Sequence, residues 1–147
     1  MQPFPPPINS FLMQIKTWNI RGCNSALNKC LLKRRIHKEK LGIIFLQETK
    51  CSGEDLANIA QKVWKGCESI AIDAKGAVGG LGILWNPHVV TLSGFLDTNC
   101  TISADFHILG TRIRGFISNV YGPPKVVQKQ AFIESLTDLK TLVQNRA

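Results

Sequence analysis

Apolar and polar positions change their spacing several times along this 147-residue chain. Residues 14–20, QIKTWNI, alternate and read as a short first strand that Gly22 ends. Asn24 or Ser25 then caps a helix over residues 26–40. Leu27, Leu31, Leu32 and Ile36 turn towards a core there, and Lys33, Arg34, Arg35, His37 and Lys38 stay on its outside. Residues 41–47, LGIIFLQ, form an unbroken apolar run that stops at Glu48-Thr49, the pattern of a strand covered on both faces and ending at a rim. A second helix is predicted over residues 54–64, with Leu56, Ile59, Ala60 and Val63 at helical spacing and Glu54 and Asp55 at its N-terminus.

Short β-branched runs follow at 69–73, 81–85, 89–96, 101–108 and 111–121, separated by Gly, Pro, Asn and Asp. Leu109-Gly110 reads as a hairpin turn between the last two. A final helix is predicted over 126–145, with Phe132, Leu136, Leu139 and Val143 on one stripe. The order of strand, helix, strand, helix, several strands and helix is a mixed α/β layout, not a doubly wound parallel sheet. The prolines of MQPFPPPINSFL make residues 1–12 an unstructured leader, with the domain starting at Met13.

Composition narrows the function classes. The length suits one domain with a real core, and a hydrophobic content of 44% excludes a disordered chain. No apolar run approaches the ~18 residues of a membrane span, and the N-terminus lacks the pattern of a secretory signal. Cysteines 23, 30, 51, 67 and 100 make no CxxC pair, which argues against zinc. They read as reduced, mostly buried thiols of an intracellular protein without a disulfide-linked partner. Asn99-Cys100-Thr101 matches a glycosylation sequon that carries little meaning without secretion. The net charge of +8 draws the chain to polyanions, nucleic acid first. Residues 29–50 concentrate that charge, with seven Lys or Arg against Glu39 and Glu48.

Three strand ends deliver polar groups after apolar runs: Trp18-Asn19, Gln47-Glu48 and Asn119-Val120-Tyr121. If the first two strands are neighbours, Asn19 and Glu48 meet at one rim, where an amide and a carboxylate suit a hard cation such as Mg2+. Read singly, the commoner fates prevail: Glu48 opens a polar loop, and Tyr121 ends a strand. KGAVGGLG, residues 75–82, fails the phosphate-loop templates, because neither Lys-Ser/Thr nor a helix follows it; it reads as a tight turn into a strand. His37, His88 and His107 are scattered, with no acidic partner at a useful spacing.

Taken together, KTWNIRG from Lys16, IIFLQETK from Ile43, GGLGILW from Gly79 and NVYGP from Asn119 resemble the endonuclease/exonuclease/phosphatase superfamily. The likeness is to the apurinic-type endonuclease domain of plant LINE-type retrotransposons, and it runs from Met13 to the chain end. It implies the N-terminal part of a DNase I-like α/β/β/α sandwich of two mixed sheets, that is, residues 13–147 as a partial domain. It further implies Glu48 as Mg2+ ligand, Asn19 in support of the metal and phosphate, and Tyr121 on the scissile phosphate. Arg21, Lys33, Arg34, Arg35 and Lys38 would then meet the DNA backbone, although a solvated helix face is the commoner fate of such a run. Arg21 replaces an Asp that the exonuclease III branch carries, and Pro124 replaces an Asn. The family's G-D-x-N and S-D-H segments do not occur in the sequence. The expectation is therefore a chain that is nearly inactive alone and whose partner is the remaining half of the domain. The alternatives are a non-catalytic, basic nucleic-acid-binding module and a decayed transposon fragment.

Overall fold

The structure is a computed structural model describing residues 13–73, 79–98, 100–122, 130, 133–134 and 136–141. The predicted leader, most of the glycine-rich turn, Asn99, Pro123, Pro124, Phe132 and Val143 lie outside the described residues. The elements are β1 (Gln14–Asn19), α1 (Ala26–Glu39), β2 (Leu41–Gln47), α2 (Gly53–Val63), β3 (Glu68–Ile72), β4 (Leu81–Trp85), β5 (Val90–Asp97), β6 (Thr101–Ile108) and β7 (Arg114–Val120). Described residues of the predicted last helix, 133–134 and 136–141, are helical, and Leu139 is buried as expected.

Two sheets carry these strands. One has the order β1-β2-β4-β3, the other β5-β6-β7. β1 runs parallel to β2, while β4 is antiparallel to both β2 and β3, so the first sheet is mixed. The second sheet is antiparallel throughout.

Alternation decides what each face meets. Ile44, Leu46 and Leu84 point to the helices, where Leu32, Ile36, Leu56, Ile59 and Val63 cover them. Ile43, Leu81, Ile83 and Trp85 point to the second sheet and pack on Val90, Ile102 and Ala104. β2 is thus buried on both faces, which is why its sequence is apolar throughout. β7 lies against β2 and β4, one strand inward of β1.

Two expectations are corrected. Leu27 is 68% exposed instead of core-facing. The buried stripe of α1 runs through Leu32 and Ile36, and one turn earlier it falls on Asn28, not Leu27. Asn28 satisfies its amide by donating to the carbonyl oxygens of Ile20 and Gly22 at 3.0 and 2.7 Å. The β6–β7 hairpin also has a longer turn than Leu109-Gly110. The ladder closes at His107 and Arg114, and the turn between is held by Ile108 N–H donating to the Ile113 carbonyl at 3.0 Å. Cys30 is exposed, whereas Cys23, Cys51 and Cys67 are buried; all are free thiols.

Both helices begin with serine caps. Ser25 accepts from Asn28 N–H at 3.0 Å, and Ser52 from Asp55 N–H at 3.1 Å. α2 can settle close to its sheet because Gly82 lies beneath it: a Cβ at Gly82 would overlap the buried Leu56 side chain. Gly82→Ala should therefore destabilise the protein by about 1–3 kcal/mol in urea unfolding. In a Leu56→Ala background the same change should cost clearly less, because the atoms it collides with are gone.

Candidate active site

The parallel β1–β2 pair ends at one rim, with Asn19 beside Gln47 in register. Ordinary parallel pairing would advance both strands in step. Here Ile20 N–H donates to the Gln47 carbonyl at 3.0 Å and Gly22 N–H to the Glu48 carbonyl at 2.8 Å. Two residues of one chain thus face one of the other, so Arg21 is the extra residue of a bulge. Its φ is 52°, in the left-handed region. Bulges of this kind re-aim a side chain at the end of a strand. The Asn28 amide holds the carbonyls on either side of Arg21 and fixes the bulge from below.

Glu48 leaves β2 in the same way, with φ 52°, and Lys50 follows at 53°. A glycine keeps this turn in place. Lys50 N–H donates to the Gly79 carbonyl, and Thr49 N–H to that of Gly80 at 3.3 Å. A Cβ on Gly79 would sit 2.9 Å from Glu48 Cα, so only glycine fits against the turn. GGLG is thus a tight entry into a strand, as its sequence suggested, and its backbone braces Glu48.

The second sheet closes the site from the other side. The Tyr121 hydroxyl donates to Glu48 Oε1 at 2.5 Å, occupying one carboxylate oxygen and leaving Oε2 to other ligands. Two residues back along β7, Asn119 is fully buried. Its amide donates to the carbonyls of Leu46 and Gly82 at 3.0 and 2.9 Å and accepts from Gln47 Nε2 at 2.7 Å. Gln47 also donates to Thr17 Oγ1 at 2.7 Å, carrying the network across to β1.

The hydrogen bond to Glu48 raises the Tyr121 phenol above its ordinary range, aided by burial and the Glu48 charge; the Arg21 guanidinium opposes this. Arg21, Glu48 and Tyr121 are therefore electrostatic neighbours at one rim, and Asn19 opens onto the same rim as an exposed strand end. Behind it, burial pushes the Cys23 thiol up to about 12, and burial raises the Cys51 thiol too, so these cysteines are poor nucleophiles and poor metal ligands.

The basic residues of α1 are placed differently. Lys33, Arg34, Arg35 and Lys38 are exposed, but α1 runs back from the rim and carries them progressively away from Glu48. Arg35 lies over the Trp18 ring, 4.7 Å from its centroid, and so covers the outer edge of β1. A cavity of about 420 Å³ lies at the opposite rim, against Lys40, Trp64 and Asn86, with His37 and His88 beside it. His107 is also at that end, with Nε2 2.8 Å from the Thr111 carbonyl oxygen.

Sequence reasoning singled out Asn19, Glu48 and Tyr121 but missed Asn28, Gln47, Gly79 and Asn119, which hold them. Among these, only Gln47 and Asn119 carried a signal, as polar residues inside otherwise apolar strand ends.

The sequence profile of the endonuclease/exonuclease/phosphatase family matches residues 17–145. The chain belongs to this family. Its fold resembles a mannosyl-6-phosphatase of Bacteroides thetaiotaomicron, with a TM-score of 0.69 and 11% identity over 88% of this chain and 59% of that one. It also resembles D. rerio TDP2 complexed with a single-strand DNA product, with a TM-score of 0.59, 15% identity, and coverage of 87% of this chain and 54% of that one. A third likeness is to the AP endonuclease of Leishmania major, at a TM-score of 0.56 and 16% identity, covering 79% and 42%. This chain thus spans less than two thirds of the length of these proteins. No curated protein matches the sequence. The family fold agrees with the two-sheet α/β arrangement described above.

Tyr121 is the only tyrosine in the chain, so its ionisation is readable by ultraviolet absorbance without interference from another phenol. Titration should place it above the ordinary value of about 10, and Glu48→Gln should bring it down. Because the folded state holds the phenol proton more tightly than the unfolded chain, this contribution to stability is full below the unfolded value. It is lost as pH rises through the folded one. The wild type should therefore lose more stability in alkali than Glu48→Gln does.

Proposed function

We propose that this chain is part of a divalent-metal-dependent phosphodiesterase of the DNA-endonuclease type, akin to those of LINE-type retrotransposons. One observation above all supports this: Tyr121 and Glu48, brought from different sheets, meet at a rim shared by Asn19 and Arg21. The TDP2 relative holding a DNA product favours DNA over a small phosphate ester. So do the net charge of +8 and the LINE-like WNIRG and LQETK segments.

The family is generally divalent-metal dependent, and the donor set at the rim fits a magnesium ion. Mg2+ is commonly held by one or two carboxylates, with water and substrate phosphate completing the shell. Glu48 Oε2 and the Asn19 amide oxygen would hold it; the described residues form no cluster of three acidic, histidine or cysteine ligands. Bound there, the cation supplies charge to offset what develops on the phosphate oxygens.

The protein's own groups then divide the work. Tyr121 keeps its proton and donates it in a hydrogen bond, first to Glu48 and, with substrate present, to a phosphate oxygen. Arg21, aimed by its bulge, adds a positive charge beside it. Lys33, Arg34, Arg35 and Lys38 extend the contact along the DNA backbone. What these residues do not supply is a base for the attacking water. The three histidines lie at the other rim, and the sequence contains no Gly-Asp-x-Asn. The 147 residues alone should accordingly bind metal and DNA while cleaving slowly or not at all. That shortfall also favours a second reading, a binding module without catalysis.

Two measurements test the proposal. Calorimetry with Mn2+ as the probe should detect a weak site that Glu48→Ala abolishes. Gel shifts should show DNA binding that weakens steeply between low and physiological salt. Salt-sensitive DNA binding without any Glu48-dependent metal site would leave only the binding module. Plasmid nicking in Mg2+ that is robust in the wild type and unchanged in Glu48→Ala would overturn the site assignment.

A further inference from the structure

We propose that Asn119 is a positioning residue that sets the meeting of Tyr121 with Glu48, by fixing the two sheets against each other at this rim. Its significance for phosphate chemistry rests on the reading above; its structural role does not.

Apolar packing alone cannot fix this contact. Ile83, Trp85, Val90, Ile102 and Ala104 hold the sheets together, but hydrophobic attraction is non-directional and tolerates sliding. A hydroxyl–carboxylate hydrogen bond does not tolerate it. Something directional has to fix the relative position of β7 and β2 near Tyr121, and Asn119 is the residue placed to do so. It is 0% exposed and makes both of its amide donations and one acceptance on the opposite sheet: Leu46, Gly82 and Gln47.

Placement along the strands makes the coupling specific. Asn119 and Tyr121 lie two residues apart on one face of β7 and its extension, roughly 7 Å along the strand. Their partners, Gln47 and Glu48, are consecutive at the end of β2. The Asn119–Gln47 and Tyr121–Glu48 hydrogen bonds therefore join the same two segments at successive levels. If the inner one is removed, the outer one depends on packing alone. A plain hydrophobic residue at 119 would also leave the Gln47 amide unpaired on that side, pulling it towards the rim.

The test reads the only tyrosine. In Asn119→Ala the phenol should titrate close to the ordinary value of about 10, while circular dichroism and a cooperative urea transition report a folded chain. Mn2+ affinity should fall about tenfold or more, as for other residues that orient a ligand. Gln47→Met, which removes one arm of the network, should move the phenol part of the way and serves if Asn119→Ala does not fold. Ile43→Val, a buried change at the far end of the same inter-sheet core, is the control; it should lower stability and leave the phenol unmoved. A wild-type phenol titration in folded Asn119→Ala, or in Gln47→Met if that alone folds, overturns the proposal. So does an equal shift in Ile43→Val, which would mean that the contact merely follows global stability. Absence of a Glu48 metal site with the phenol shifts intact would instead sink the functional reading and leave this one standing.

Discussion

A single buried amide governs how the two sheets meet. An unpaired amide inside a protein costs several kcal/mol, so Asn119 is tolerable only because each of its strong donors and its acceptor finds a partner. Those partners are available for a structural reason. Leu46 and Gly82 pair across β2 and β4, so their carbonyls lie where one amide nitrogen from the second sheet reaches both. The missing side chain at Gly82 in turn lets Leu56 descend onto the strand. Helix, sheet and amide thus form one column, and each layer's position depends on the next.

At the rim above this column, the backbone does what regular strands cannot. Arg21, Glu48 and Lys50 all adopt positive φ without being glycine. Such conformations cost of order 1–3 kcal/mol each and persist only where neighbours enforce them. The enforcement is visible on both strands: Asn28 grips the carbonyls around Arg21, and Gly79 lies flat against Glu48. The return is direction. A residue that continued β2 would point into the helix layer or squarely into the sandwich, where a carboxylate would be desolvated. Turned out at φ 52°, Glu48 stays half-buried and keeps one oxygen clear of Tyr121.

This division explains which features could be read from the sequence. Period and termination are local, so the strands, both main helices and the polar strand ends at Asn19, Glu48 and Tyr121 were legible. The sequence left open whether the first two strands are neighbours; the structure pairs them in parallel, with Asn19 beside Gln47. Helix phase was legible only in part: Leu27 looks like core by hydrophobicity, yet the inward position of the first turn belongs to Asn28, because two strand-end carbonyls needed a donor there. Contacts across long separations left almost no trace. Gln47 and Asn119 each stand out as a polar residue in an apolar strand end, but they are far apart in the chain and nothing local pairs them; their pairing is a fact of how the sheets stack. Gly79 likewise reads as a turn glycine until Glu48 is seen beneath it.

The electrostatics of the rim extend the same logic. Glu48 favours the protonated phenol of Tyr121 and Arg21 opposes it, with Glu48 dominant. A cation on Glu48 would weaken that hold by competing for the carboxylate charge, whereas an arriving phosphate would restore it and give the hydroxyl a new acceptor. Arg21 has the complementary part, since its charge is unpaired with Glu48 in a direct ion pair among the described contacts and stays available to an incoming anion. The cations of α1 act over a longer range and are screened beyond about 8–10 Å at ordinary ionic strength. In the proposed function they would gather a polyanion onto the surface, while Arg21, which acts directly on the Tyr121 phenol beside Glu48, would add its charge at the rim itself.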